Sequence, residues 1–178
     1  MSSHEGPITA RCLMRTTFRT IAADRPLHEA KDYLLDFPDK QSPLPLVVVH
    51  GDGSLAGLLT PVALFRALLR KVRLEEIHTL AEPELLAAMD GQLDMPVSEA
   101  MMREVPRAYP DDRLVALMKL NSERREHRVE FTPVLENETV IGIIYITDIF
   151  HAAASLALTH ETEGIILPSD KGDDEIGH

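Results

Sequence analysis

At 178 residues the chain has room for one ordinary domain or for two small repeats sharing a core. Apolar residues make up 44% and charged residues 26%, as in water-soluble globular proteins, while aromatics are only 4% with no tryptophan, so the core must be aliphatic. A net charge of -11 with no basic patch argues against nucleic acid, the lone Cys12 excludes an intramolecular disulfide or a cysteine-based zinc cluster, and no apolar run approaches the roughly 20 residues of a membrane span.

The N-terminal "MSSHEGPITARC" lacks an apolar stretch after a basic start, so no secretion signal is read and cytoplasmic residence is expected. "FRTIAA" (18–23) alternates as a short strand does. "LHEAKDYLLDF" (27–37) sets Leu27, Ala30, Leu34 and Phe37 on one helical face, with Asp24 upstream as a start signal. "LPLVVV" (44–49) is an uninterrupted branched run, suited to a strand buried on both faces. The Asp-Gly pair in "HGDGS" marks a hairpin turn, "LAGLL" is the returning strand, and "PVALFRALLRKV" (61–72) is a helix with Pro61 in its first turn, where a missing N–H is harmless. A linker follows with one short helix, started at Pro83, faced by Leu85, Leu86 and Met89 and stopped at Gly91.

The same plan then returns. "LMRTTFRTIAADRPL" is matched by "MMREVPRAYPDDRL", with Met14 set against Met102 and Leu27 against Leu114. "LPLVVV" is matched by "TPVL", and "SLAGLLTPVALF" by "VIGIIYITDIF", with Gly57 against Gly142. Four blocks in one order at a near-constant spacing imply a tandem pair rather than a longer solenoid. Residues 1–70 are the first copy, 71–96 the linker, 97–158 the second copy, and 159–178 an acidic tail expected to be disordered. That tail and the two residues before it carry six acids against Lys171, so almost half the net charge is terminal.

The opening "LMRTTFRTIAADRPLHEA", the hairpin "PLVVV"-turn-"LAGLLT" and the second "IGIIYITDI" resemble a tandem pair of CBS domains, named after cystathionine β-synthase and also called a Bateman module. The resemblance covers Ile8 to Leu158. It implies an α/β (α+β mixed) fold of two β-α-β-β-α repeats packed sheet to sheet with pseudo-two-fold symmetry. It also implies two clefts that take AMP, ADP, ATP or S-adenosylmethionine as a regulatory ligand, with no cofactor required. The implied role is regulatory and non-enzymatic, exerted on an effector protein by a homodimer of disc shape.

The family's nucleotide motif is Gly, two residues, Ser or Thr, two residues, Asp, and here it is divided between the copies. The second copy has Gly142 and Asp148 but Tyr145 in the hydroxyl position; the first has Gly57 and Thr60 but Ala63 in the acid position. By resemblance, Asp148 holds ribose through charge-assisted bonds. Tyr145, Gly142 and the stretch Thr132, Pro133 and Val134 line the cleft, His127 and Arg128 meet phosphate, and Thr60 marks a weaker cleft. If one cleft takes a phosphorylated ligand, the expectation falls on the second copy, because Arg124, Arg125, His127 and Arg128 precede its strand.

Each residue has a plainer reading. Asp148 suits an N-cap, worth about 1 kcal/mol, although Thr147 could cap instead. Thr60 before Pro61 is read as a cap, the Arg124–Arg128 run fits a solvated helix end, and the Tyr145 ring could fill the cleft. His-Glu occurs at His4, His28 and His160 without a second His four residues on, so zinc is not expected. No nucleophile elbow or phosphate loop occurs, hence no catalytic set. The divided motif leaves a rival reading, a structural dimerisation module whose clefts no longer bind.

Overall fold

Valine and leucine in unbroken sequence favour a strand covered on both sides, and β2 (Leu46–Val49) has its first three residues fully buried. The computed structural model describes residues 6–30, 46–123 and 129–164. β1 (Thr20–Ala22) lies parallel to β2, and β3 (Leu55–Leu59) returns antiparallel. At the turn between them Gly53 takes a φ of 84°, open to a residue without Cβ. The Asp52 carboxylate there accepts from both the N–H and the hydroxyl of Ser54. α2 (Pro61–Leu68) follows α1 (Ala10–Leu13) in order of helices. The expected cap is in place on α2, where the Thr60 hydroxyl accepts from the Ala63 N–H at 3.1 Å. The sequence places another helix from Leu27, of which Leu27 to Ala30 are described and the remainder lies outside the described residues.

In the linker, α3 (Glu82–Asp90) starts and stops as its Pro83 and Gly91 foretell. Its apolar face is less used than expected: no residue of α3 is buried, Leu86 is exposed, and of the three only Met89 packs against the core. The second copy comprises α4 (Val97–Ala100), α5 (Leu114–Ser122), β4 (Phe131–Glu136), β5 (Thr139–Tyr145) and α6 (Ile146–Gly164). The two-residue turn Asn137-Glu138 has φ of 51° and 64°, the primed geometry that matches strand twist. The counterpart of β1 shrinks to one parallel bridge, Ala108 to Val134. Pro106 and Pro110 flank it and have no N–H to give a ladder. α6 continues to Gly164, past the boundary at 158 set from sequence, because nothing between Thr159 and Glu163 breaks a helix. Among the described residues no helix is long and apolar enough to cross a membrane.

The two copies exchange their leading segments. The turn of α4 is hydrogen-bonded to the first copy, Val97 N–H to the Arg25 carbonyl and Leu27 N–H to the Met95 carbonyl, both at 2.8 Å. Symmetrically, Ala10 N–H reaches the Asp112 carbonyl and Leu114 N–H the Ile8 carbonyl. Beyond the short helices, Met102 pairs reciprocally with Leu58 of β3, and Arg15 with Ile143 of β5. Arg15 therefore corresponds to Met102, and Met14 to Met101 rather than to Met102 as the sequence comparison set it. Two adjacent methionines gave that comparison no means of choosing.

A central cluster joins the two sheets, with Val47, Leu55 and Leu58 of the first meeting Phe131, Leu135 and Ile143 of the second. Flanking clusters seat each sheet on its own helices, with Val97 of the second copy buried in one and Ala10 of the first copy in the other. This is the sheet-to-sheet, pseudo-two-fold arrangement of β-α-β-β-α units expected from the sequence.

Candidate functional site

β5 runs without a loop into α6, so the last strand residue, Tyr145, directly precedes the first turn of the helix and Asp148 lies inside that turn. Asp148 is thus not the N-cap, though a carboxylate there still favours the helix dipole. Its partner comes from the exchanged segment. Arg15 meets Asp148 in a forked pair, Nη2 to Oδ2 at 3.0 Å, with Nε to Oδ2 and Nη2 to Oδ1 at 3.2 Å. The same guanidinium sits 4.6 Å from the centre of the Tyr145 ring, which in turn stands edge-on to Phe131. Burial pushes the Tyr145 phenol up; Arg15 opposes this, and the charges of Asp148 and Glu130 add to it, so the hydroxyl stays protonated. In the second cleft the ribose-type acid is therefore already matched by a cation and roofed by a ring.

The other expected residues of that cleft are held by the fold. Thr132 is fully buried and donates to Asn121 Oδ1 at 2.9 Å, tying β4 to α5. The Pro133 carbonyl accepts from Ala108, and Val134 is buried opposite Gly142. Gly142 lies close against Met14 and the Arg15 carbonyl, so that a Cβ there would stand 2.9 Å from the Met14 sulfur and 3.0 Å from that carbonyl. His127 and Arg128 lie outside the described residues. The structure brings together Asp148, Tyr145 and Gly142 around Arg15, a residue sequence reasoning passed over. Its signal was available as the one charged residue between the "LM" and "TT" of the opening block.

In the first cleft Arg15, Tyr145 and Asp148 are all replaced, while Gly142 keeps its counterpart in Gly57. Met102 stands for Arg15, Thr60 for Tyr145 and Ala63 for Asp148, and the Thr60 hydroxyl lies 3.9 Å from the Met102 sulfur. A cavity of about 410 Å³ lies between α2 and the end of α4 with the segment that follows it. Ala63, Ala67, Ala100 and Met102 give it apolar walls, while Arg66, Arg70, Arg103, Glu99 and Glu104 carry its charge. Arg70 is fastened to Glu99, through Nη1 to Oε2 at 3.2 Å and Nη2 to the carbonyl at 2.8 Å. Arg103 donates from Nη2 to the Ser98 carbonyl at 3.0 Å. Arg124, Arg125, His127 and Arg128, on which the expectation of an anion site in the second copy rests, lie outside the described residues; the cavity lies in the first cleft.

Residues 97–155 match the family model of the CBS domain. That segment is similar to a CBS domain, and the fold of the whole chain is that of solved CBS-domain structures. No curated protein matches the chain in sequence. Among solved structures, a CBS domain-containing protein of unknown function from Kribbella flavida is 18% identical with a TM-score of 0.65, over 83% of this chain and 99% of that one. A CBS-domain containing protein from Agrobacterium tumefaciens is 22% identical with a TM-score of 0.59, over 86% and 98%. The cytosolic domain of the Mg²⁺ channel MgtE, in complex with ATP, is 18% identical with a TM-score of 0.57, over 81% of this chain and 48% of that one.

Proposed function

We propose that this protein is a non-enzymatic regulatory module that senses an adenosine-type ligand between its repeats and signals to a partner protein. The observation that carries the proposal is the cavity of about 410 Å³, with apolar walls and three arginines, formed jointly by the two copies. It falls within the 300–1,000 Å³ typical of small-molecule sites. The ATP complex of the similarly folded MgtE domain supports the ligand class. Because one wall belongs to α2 and the other to the segment of the second copy, an occupant favours one relative setting of the repeats. AMP, ADP, ATP and S-adenosylmethionine are the candidate ligands, and no cofactor enters the mechanism.

The proposed assembly is a homodimer. Val62 and Phe65 on α2 and Phe150 on α6 stand more than half exposed, large apolar groups on the helices the family resemblance assigns to a disc. The test of sensing is thermal denaturation of the purified protein with each of the four ligands. A ligand binding only the native state adds about 2.7 kcal/mol at 100 times its dissociation constant, enough for a melting shift of several degrees. A flat response to all four refutes the proposal. That result would favour the dimerisation-scaffold reading, which the Arg15–Asp148–Tyr145 filling of the second cleft supports.

A further inference from the structure

We propose that Met102 is a site of oxidation by hydrogen peroxide, and that the Thr60 hydroxyl assists the oxygen transfer and then binds the sulfoxide formed. The proposal is independent of ligand sensing, since it rests on the side chains of the cavity wall alone. A thioether is polarizable and is oxidised where oxidants reach it. Of the seven methionines, Met1 lies outside the described residues and Met118 on α5 is 45% exposed. Met14 and Met101 occupy equivalent places, close against Gly142 and Gly57. Met89 and Met95 pack against the core cluster of the first copy. Met102 differs from all of these in lining the cavity. Among the described residues it alone packs against both that cluster and the central cluster between the sheets. The second copy has Arg15 in its place, so the chemistry is confined to the first cleft.

The Thr60 hydroxyl supplies the second observation. It has one proton to give and two lone pairs to accept with. One lone pair accepts from the Ala63 N–H at 3.1 Å, the cap of α2. The proton is directed at the Met102 sulfur at 3.9 Å, a weak acceptor at long range. A part-buried donor is thereby left with a poor partner, and an oxygen added to that sulfur gives it a good one. In the step itself a sulfur lone pair attacks one peroxide oxygen and the O–O bond breaks. The transferred oxygen gives its proton to the departing hydroxide, which leaves as water. Sulfur is oxidised by two electrons and the peroxide is reduced by two. Negative charge grows on oxygen as the O–O bond breaks, and an O–H donor beside the sulfur stabilises it. The product is a polar side chain where two apolar clusters meet, with a hydrogen bond joining the start of α2 to the segment after α4.

The experiment treats the intact, folded chain with hydrogen peroxide and follows the gain of one oxygen at each methionine by peptide mass spectrometry. Met102 is expected to react alongside the exposed Met118 and about tenfold faster than its neighbour Met101. Thr60→Val is expected to slow Met102 by about fivefold, the scale of one hydrogen bond, while Thr60→Ser keeps the wild-type rate. A purely structural role for Thr60 has the opposite sign, because loss of the cap frays α2 and speeds access to the sulfur. Met102 reacting no faster than Met101 overturns the site, and this comparison needs only the wild-type chain. A rate in Thr60→Val that is unchanged or raised overturns the part given to the hydroxyl.

Discussion

Replacing Gly57 by alanine tests whether the exchanged segments are the hinge of the design. A Cβ built on Gly57 lands on the carbonyl oxygen of Met102, with the Met101 sulfur 3.0 Å away. That carbonyl accepts from the Leu58 N–H at 3.0 Å, and the Met102 N–H donates to the Leu58 carbonyl at 2.8 Å, so the obstacle is backbone held by two reciprocal bonds. Moving it gives up about 1 kcal/mol per bond and adds about 1–3 kcal/mol of overpacking. Against this stands about 0.5–1 kcal/mol gained by removing a glycine from a strand. The net loss is about 3 kcal/mol. Gly142 is the internal control, since its Cβ would first meet the Met14 sulfur at 2.9 Å, the far end of a flexible side chain, and the Arg15 carbonyl at 3.0 Å. Gly142→Ala should therefore cost about 1 kcal/mol. In equilibrium urea unfolding, with a slope of about 2 kcal/mol per molar, the midpoints fall by about 1.5 M and about 0.5 M. Equal losses, or a greater loss at Gly142, would refute the assignment of Met102 backbone as the rigid contact.

Three further outcomes follow from named contacts. A double-mutant cycle of Arg15→Gln with Asp148→Asn in urea should give a coupling of about 0.5–1 kcal/mol, falling in 1 M salt, since the side chains are 58% and 27% exposed; zero coupling at low salt would remove the pair from the account. Cys12 is exposed and its thiol is lowered by the hydrogen bonds of Thr9, side chain first and then backbone, which stabilise the thiolate. Its alkylation by iodoacetamide should accordingly rise at lower pH than that of a free thiol, and Thr9→Val should move the rise upward; an unmoved profile would contradict the contact. Light scattering of the combined Phe65→Glu and Phe150→Glu variant should report a monomer where the unchanged chain gives a dimer, and a dimer in both would place the interface elsewhere.

The doubled β-α-β-β-α plan was legible because strands, turns and helix starts have local causes. The branched run of β2, the Asp52-Gly53 turn and the Thr60-Pro61 helix start each declared themselves within a few residues. Three features were not legible in that way. The reduction of the second leading strand to one bridge depends on which N–H groups Pro106 and Pro110 withhold from a neighbour chosen by the fold. The offset of one residue between Met101 and Met102 could not be resolved by residue type. The partner of Asp148 lies 133 residues away in sequence, brought there only by the exchange of leading segments. The motif comparison therefore saw an acid and a missing hydroxyl, but not the cation between them.

That exchange also decides how a small ligand can be felt at a distance. Were each cleft built from one copy, binding would stiffen that copy and leave the other unaffected. Here the wall facing α2 is the stretch from Glu99 to Glu104, which is anchored through Val97 to the first copy and continues through Val105 into the core cluster between the sheets. Under the proposed function, an occupant of that cavity therefore touches chain that enters the inter-sheet core. The second cleft has the same mechanical link, through Arg15 to Ile143, but its Arg15–Asp148 pair holds it from within. One cleft is thus held by the protein's own contacts, and under the proposed function the other is the one a ligand sets. Under that proposal, a ligand shifts the setting of the repeats only by as much as it binds one setting better than another.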